Sequence, residues 1–203
     1  MGNLLTAISK INKLPALSLV SPAANRIPSE KRLAGFLECQ RLAQNAAKEV
    51  AGLLEEGMTE IHAADLLNDC LAEKGVTSFF HKAFAWWGGR TRFDGCKGVP
   101  DFLPTERKLE KGDVYILDVA PIDKGFMCDI GYSNIFGENE EYEKAMEFLT
   151  ELRASIPGMF NGSRSGGEVW RAVDAEIRSA GYTNIHEKYP FSVLGHRIHF
   201  HNS

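Results

Sequence analysis

No acidic residue precedes Glu30, the cysteines Cys39, Cys70, Cys96 and Cys128 form no C-x-x-C pair, and no run reaches membrane-spanning length. Each absence excludes something. Without a long apolar run there is no candidate transmembrane helix. Without paired cysteine spacings neither a zinc ribbon nor a disulfide framework is expected, so the thiols read as reduced and mostly buried in a reducing, cytoplasmic setting. Basic residues are not in excess either: 23 Lys and Arg stand against 27 Asp and Glu, net −4, which argues against a nucleic-acid partner. At 203 residues and 44% hydrophobic, the chain is long enough for one sizeable core.

Residues 1–28 carry Lys10, Lys13 and Arg26 but no acid. Pro15 breaks their short apolar stretch, arginine is sparse, and nothing polybasic follows the Met1-Gly2 start. The targeting and lipid-anchor signals are thus weak, and the segment reads as an extended arm, with a targeting peptide as the alternative. From Ser29 the order expected is helix, helix, strands, helix, helix, strand. Ser29 caps a helix with Leu33, Phe36, Leu37, Leu42, Ala46, Val50 and Leu53 at helical spacing and Gly57 at its end. Thr59 caps a second with Ile61, Ala64, Leu67 and Leu71 on one face. Tyr142 to Ile156 forms a third, stopped by Pro157-Gly158, and Ser165-Gly166-Gly167-Glu168 is a capping box opening the fourth.

What stands out is GDVYILDVAPIDKGFMCDIGYSNIFG, in which Asp118 and Asp129 are eleven residues apart. With Asp123-Lys124 as the loop, Ile122 opposes Gly125 and Asp118 faces Asp129, with Cβ atoms roughly 5 Å apart. Like charges so placed are relieved by solvation on an edge hairpin, by protonation as a coupled pair, or by a divalent metal. A second segment, Phe79 to Arg90, is dense in aromatic rings. There His81 and Trp86 are candidate substrate contacts, with Arg90 and Arg92 beside them, and simple core filling is the alternative for the rings. A third, Phe191 to His196, is a short apolar run that ends in an imidazole.

Two hairpin aspartates followed by a distant strand histidine resemble the methionine aminopeptidase, Xaa-Pro aminopeptidase and prolidase superfamily of pita-bread metallopeptidases. Cys96-Lys97-Gly98-Val99-Pro100 and Leu109-Glu110-Lys111-Gly112-Asp113 follow the family's order of segments, so the resemblance spans about residues 29 to 203. It implies an α+β fold of helix pairs backing antiparallel strands. It also implies a dinuclear site: the residue matching Asp118 binds one divalent ion, that matching Asp129 bridges two, and that matching His196 binds the other. Carboxylates and imidazole suit manganese, cobalt, iron or zinc. Lys97 stands where methionine aminopeptidases carry a histidine that contacts substrate and the reacting centre, so Lys97 and His196 are the candidate catalytic groups. His199 and His201 are out of register for the family's second histidine.

The family's two further glutamate ligands belong downstream of His196, and the sequence ends at Ser203. The expectation is thus a metal-dependent peptidase acting on N-terminal peptide bonds, impaired by an incomplete site and second half, with a homodimer covering the open sheet edge. A non-catalytic relative that binds peptides or a partner protein is the alternative. A metal-free carboxyl pair in acid–base work is a third reading.

Overall fold

The computed structural model describes residues 29–160 and 165–184; the arm over residues 1–28 and the strand expected at 191–196 lie outside them. Helix α1 (Glu30–Ala51) begins where Ser29 Oγ accepts from the Arg32 N–H, and α2 (Glu60–Glu73) where Thr59 Oγ1 accepts from that of His62. Both caps are those expected. The buried face of α1 is only partly so. Ala46 and Val50 of the expected stripe are buried, but Leu33, Leu37 and Leu53 are exposed, and Cys39, Ala43 and Ala47 are buried in their place. Small side chains let its backbone lie close to the sheet, a gain that a large-residue stripe does not offer. One turn before Cys39, a methyl group at Gly35 would run into the ring of Phe126. The helix also ends at Gly52 rather than Gly57.

The sheet is antiparallel. Strand β2 (Val114–Asp123) is central, with β1 (Ser78–Trp87) on one edge and β3 (Phe126–Met127) and β4 (Ile130–Ile135) in succession on the other. Alternation divides β2: Tyr115, Leu117 and Val119 are buried against α1 and α2 together with Ala83, Ala85 and Trp87 of β1, while Ile116, Asp118 and Ala120 take the opposite face. A 3₁₀ turn (Gly88–Arg92) and the short helix α3 (Val99–Phe102) connect β1 to β2.

Helices α4 (Glu140–Met159) and α5 (Gly166–Ser179) form a second hairpin around Leu152, Val169 and Val173. The capping box at Ser165 and Glu168 is formed as expected. Pro157, expected to stop α4, instead lies in its last turn. A proline there forfeits one hydrogen bond, and the packing of Ile156 and Met159 onto the α5 face offsets it.

One buried carboxylate ties α2 to the end of β1 and to the connection between β1 and β2. Glu60, with no exposed surface, accepts from Trp87 N at 3.0 Å, Arg90 Nε at 3.0 Å, Thr105 N at 2.9 Å and Thr105 Oγ1 at 2.7 Å. Arg90 also donates to the carbonyls of Asp101 and Leu103. In the sequence, Glu60 reads only as an acid in the first turn of a helix, and Arg90 as a cleft residue. Removing a buried partner leaves the others desolvated and unpaired, so Glu60→Ala is expected to cost about 3–5 kcal/mol, read as a lowered urea midpoint.

Candidate metal centre

Asp118 and Asp129 share a face, but they are not directly opposed. The turn residues are Lys124 (φ 48°) and Gly125 (φ 80°), both left-handed as the two-residue type I′ hairpin requires. Asp123 therefore pairs with Phe126, and Asp118 with Gly131. The expected register is corrected by two positions, and because side chains alternate with period two, an even shift leaves both carboxylates on the same side. Gly131, lacking a side chain, leaves space beside Asp118: a Cβ built there would stand 3.5 Å from Asp118 Oδ2.

Between the two acids sits His81. Its Nε2 is 3.5 Å from Asp118 Oδ1 and 3.5 Å from Asp129 Oδ1, and one ligand atom from each of the three residues lies within 4.8 Å of the others. All three side chains are about one-fifth exposed (23%, 23% and 18% for His81, Asp118 and Asp129), hence sheltered yet reachable. Simple alternation from Phe79, Ala83, Ala85 and Trp87, which pack into the core, would turn His81 inward as well. Two register shifts in the pairing of β1 with β2 intervene, between Phe79 and His81 and between His81 and Phe84. Bulges of this kind re-aim a side chain, and here they flip His81 to the carboxylate face. They also allow His81 and Phe84, three residues apart, to stack with centroids 5.0 Å apart.

The other candidates are placed as follows. Trp86 is joined to this cluster through Phe84, at a centroid distance of 5.5 Å. It is 5% exposed, its indole N–H donates to the Phe102 carbonyl at 2.8 Å, and Phe93 meets it edge-on. The side chain of Lys97 is exposed. Its backbone N–H and that of Gly98 donate to Asp101 Oδ2 and hold the Asp101 carboxyl below its ordinary range. No described contact joins the Lys97 ammonium to the cluster. His196 lies outside the described residues.

The family model of metallopeptidase family M24 matches residues 34–202. The chain belongs to metallopeptidase family M24. Its fold is that of the pita-bread peptidases. The X-Pro aminopeptidase from Thermotoga maritima MSB8 superposes with a TM-score of 0.66 at 19% identity, over 77% of this chain and 43% of that one. For the prolidase from Thermococcus sibiricus the values are 0.67, 19%, 89% and 49%, and for the dipeptidase PepE from Mycobacterium ulcerans 0.67, 16%, 88% and 47%. This chain thus spans less than half the length of these structures. No curated protein matches it significantly by sequence.

Membership of family M24 implies a divalent metal, and the donor set fits one. His81 Nδ1 lies 2.9 Å from the Lys82 carbonyl oxygen, which can only accept, so Nδ1 carries a hydrogen. In the neutral ring Nε2 then presents a bare lone pair to two carboxylates that are themselves acceptors. A cation among them resolves the conflict, either a proton on Nε2 or a metal ion. A backbone carbonyl orienting the remote ring nitrogen is also the usual support for a metal-binding histidine.

Without metal, burial disfavours the His81 charge, but the hydrogen bond to Asp129, the Lys82 carbonyl and both carboxylates outweigh it and raise the pKa above its ordinary 6.5. A group with a raised folded-state pKa stabilises fully below its unfolded value, and the contribution is lost as pH rises through the folded one. In chelator, the thermal midpoint of the wild type is therefore expected to fall relative to His81→Asn as pH increases from about 6 to about 8.5. Parallel midpoints across that range would contradict this.

Proposed function

We propose that the chain is the metal-binding part of a peptidase of the aminopeptidase/prolidase type, cleaving N-terminal peptide bonds. One observation carries the reading: Asp118, Asp129 and His81 converge on the sheltered, non-core face of the sheet. Asp118 and Asp129 would hold the metal with His81 Nε2 as a third donor, and His196, by family resemblance, would serve a second ion. The chemistry such a metal would supply is activation of water and polarisation of a scissile carbonyl.

The chain's own residues prepare that site. The Lys82 carbonyl fixes the tautomer of His81, and Phe84 stacks on the ring and limits its rotation. Phe84 and the buried Trp86 continue as an apolar wall that keeps bulk water from one side, and such a wall suits an apolar part of a peptide. A cytoplasmic setting, expected from the unpaired cysteine spacings, and a homodimer belong to the same proposal.

The test takes the purified chain, strips it with chelator and restores manganese, cobalt, iron or zinc in turn. N-terminal residue release from peptides, including X-Pro peptides, is expected only with metal. Asp118→Asn and Asp129→Asn should each lower bound metal and reduce kcat/KM by at least about 100-fold. Metal-independent release would overturn the mechanism. Peptide binding without turnover in every metal would favour the non-catalytic alternative.

A further inference from the structure

Helix α1 and the metal-site hairpin meet at a pair of thiols. Cys39 Sγ lies 3.5 Å from Cys128 Sγ, across 89 residues of sequence. Cys39 is also within reach of the Phe126 carbonyl at 3.4 Å and the Pro121 carbonyl at 3.6 Å, so it is seated over the hairpin rather than beside it. Cys39 is 1% exposed, whereas Cys128 is half-buried and gives a small oxidant access to the pair. Cys128 immediately precedes Asp129, and both lie in the break between β3 and β4.

We propose that Cys39 and Cys128 are an oxidisable dithiol whose closure to a disulfide displaces Asp129 and weakens metal binding. The oxidant is a peroxide. One sulfur of the pair takes an oxygen from hydrogen peroxide, the O–O bond breaks, and water leaves, giving a sulfenic acid. The second sulfur attacks the first, the S–O bond breaks, and its departing hydroxyl leaves as water with the remaining thiol proton. Two thiols and one peroxide thus become one disulfide and two waters.

The coupling to the metal is mechanical. A disulfide needs about 2.05 Å between sulfurs, so the two must approach by about 1.5 Å. Helix α1 is anchored through Ala43, Ala46, Ala47 and Val50 in the core, while Cys128 stands in the gap between two short strand segments. The hairpin break therefore yields more readily than the helix, and its next residue is Asp129. Ligand positions tolerate only about 0.2 Å.

This consequence for metal rests on the proposed metal site; formation of the bond does not, and the experiment separates the two. The full chain is treated with hydrogen peroxide, digested without reduction and mapped by mass spectrometry, and in parallel its affinity for manganese and zinc is measured before oxidation, after oxidation and after re-reduction. The expected result is a Cys39–Cys128 linked peptide lacking two hydrogens, with Cys70 and Cys96 still alkylatable. Metal affinity should fall on the order of 10-fold and recover on reduction, and Cys39→Ser should lose both effects. Free thiols, sulfinic acids or a different pairing in the wild-type map overturn the proposal even if Cys39→Ser does not fold. A linked peptide with unchanged metal affinity overturns the coupling. Absence of metal binding in the reduced wild type tells against the metal site itself and, with it, the coupling, and leaves the disulfide to be judged by the map.

Discussion

Strand β2 is hydrogen-bonded along both edges and packed against helices on one face, so its side chains have two directions available and no others. Most of the rest follows from that constraint. Tyr115, Leu117 and Val119 complete the core, and Asp118 is committed to the opposite face because it falls between them. Neighbouring strands inherit the division: Ile130 pairs with Val119 on the core side, and Gly131 pairs with Asp118 on the other. An acid in this register is sheltered by the sheet without being buried in it, a suitable setting for a carboxylate that is to remain accessible.

Glu60 shows the other solution to placing a carboxylate in a folded chain. Its oxygens are met by backbone donors, a hydroxyl and a guanidinium at 2.7–3.0 Å, and the group closes a structural junction with no need of an external ion. Asp118 and Asp129 face one another's charge, with an imidazole nitrogen common to both at 3.5 Å. That spacing is long for a saturated hydrogen-bonded pair and leaves room for a cation at their centre. The difference between the two settings, rather than acidity as such, separates a carboxylate satisfied by the protein from a pair placed where a cation fits.

Much of the fold was legible in local pattern. Ser29, Thr59 and the Ser165–Glu168 box each cap the helix they precede, because capping depends on a few consecutive residues. Of the buried face of α1 only Ala46 and Val50 were legible, since the larger Leu33 and Leu37 draw the apolar stripe elsewhere and only the nearness of the sheet makes small residues the better contact. Glu60 was missed for a similar reason: three of its donors, from Arg90 and Thr105, are 30 to 45 residues away, and nothing in its neighbourhood announces them. In the site, His81 reads from the sequence as a substrate contact, but its geometry with Asp118 and Asp129 depends on two bulges that alternation does not predict.

The sequence by itself determined the hairpin, the common face of Asp118 and Asp129, the helix starts and the resemblance to the pita-bread peptidases. These rest on periodicity, stereochemistry and motif spacing, which are properties of neighbouring residues. The tertiary structure decided that the turn is Lys124-Gly125, that Asp118 pairs with Gly131, and that His81 turns away from the core to join the two carboxylates. Those outcomes depend on how hydrogen bonds align between strands and on which surfaces approach closely, energies that arise only when distant segments meet.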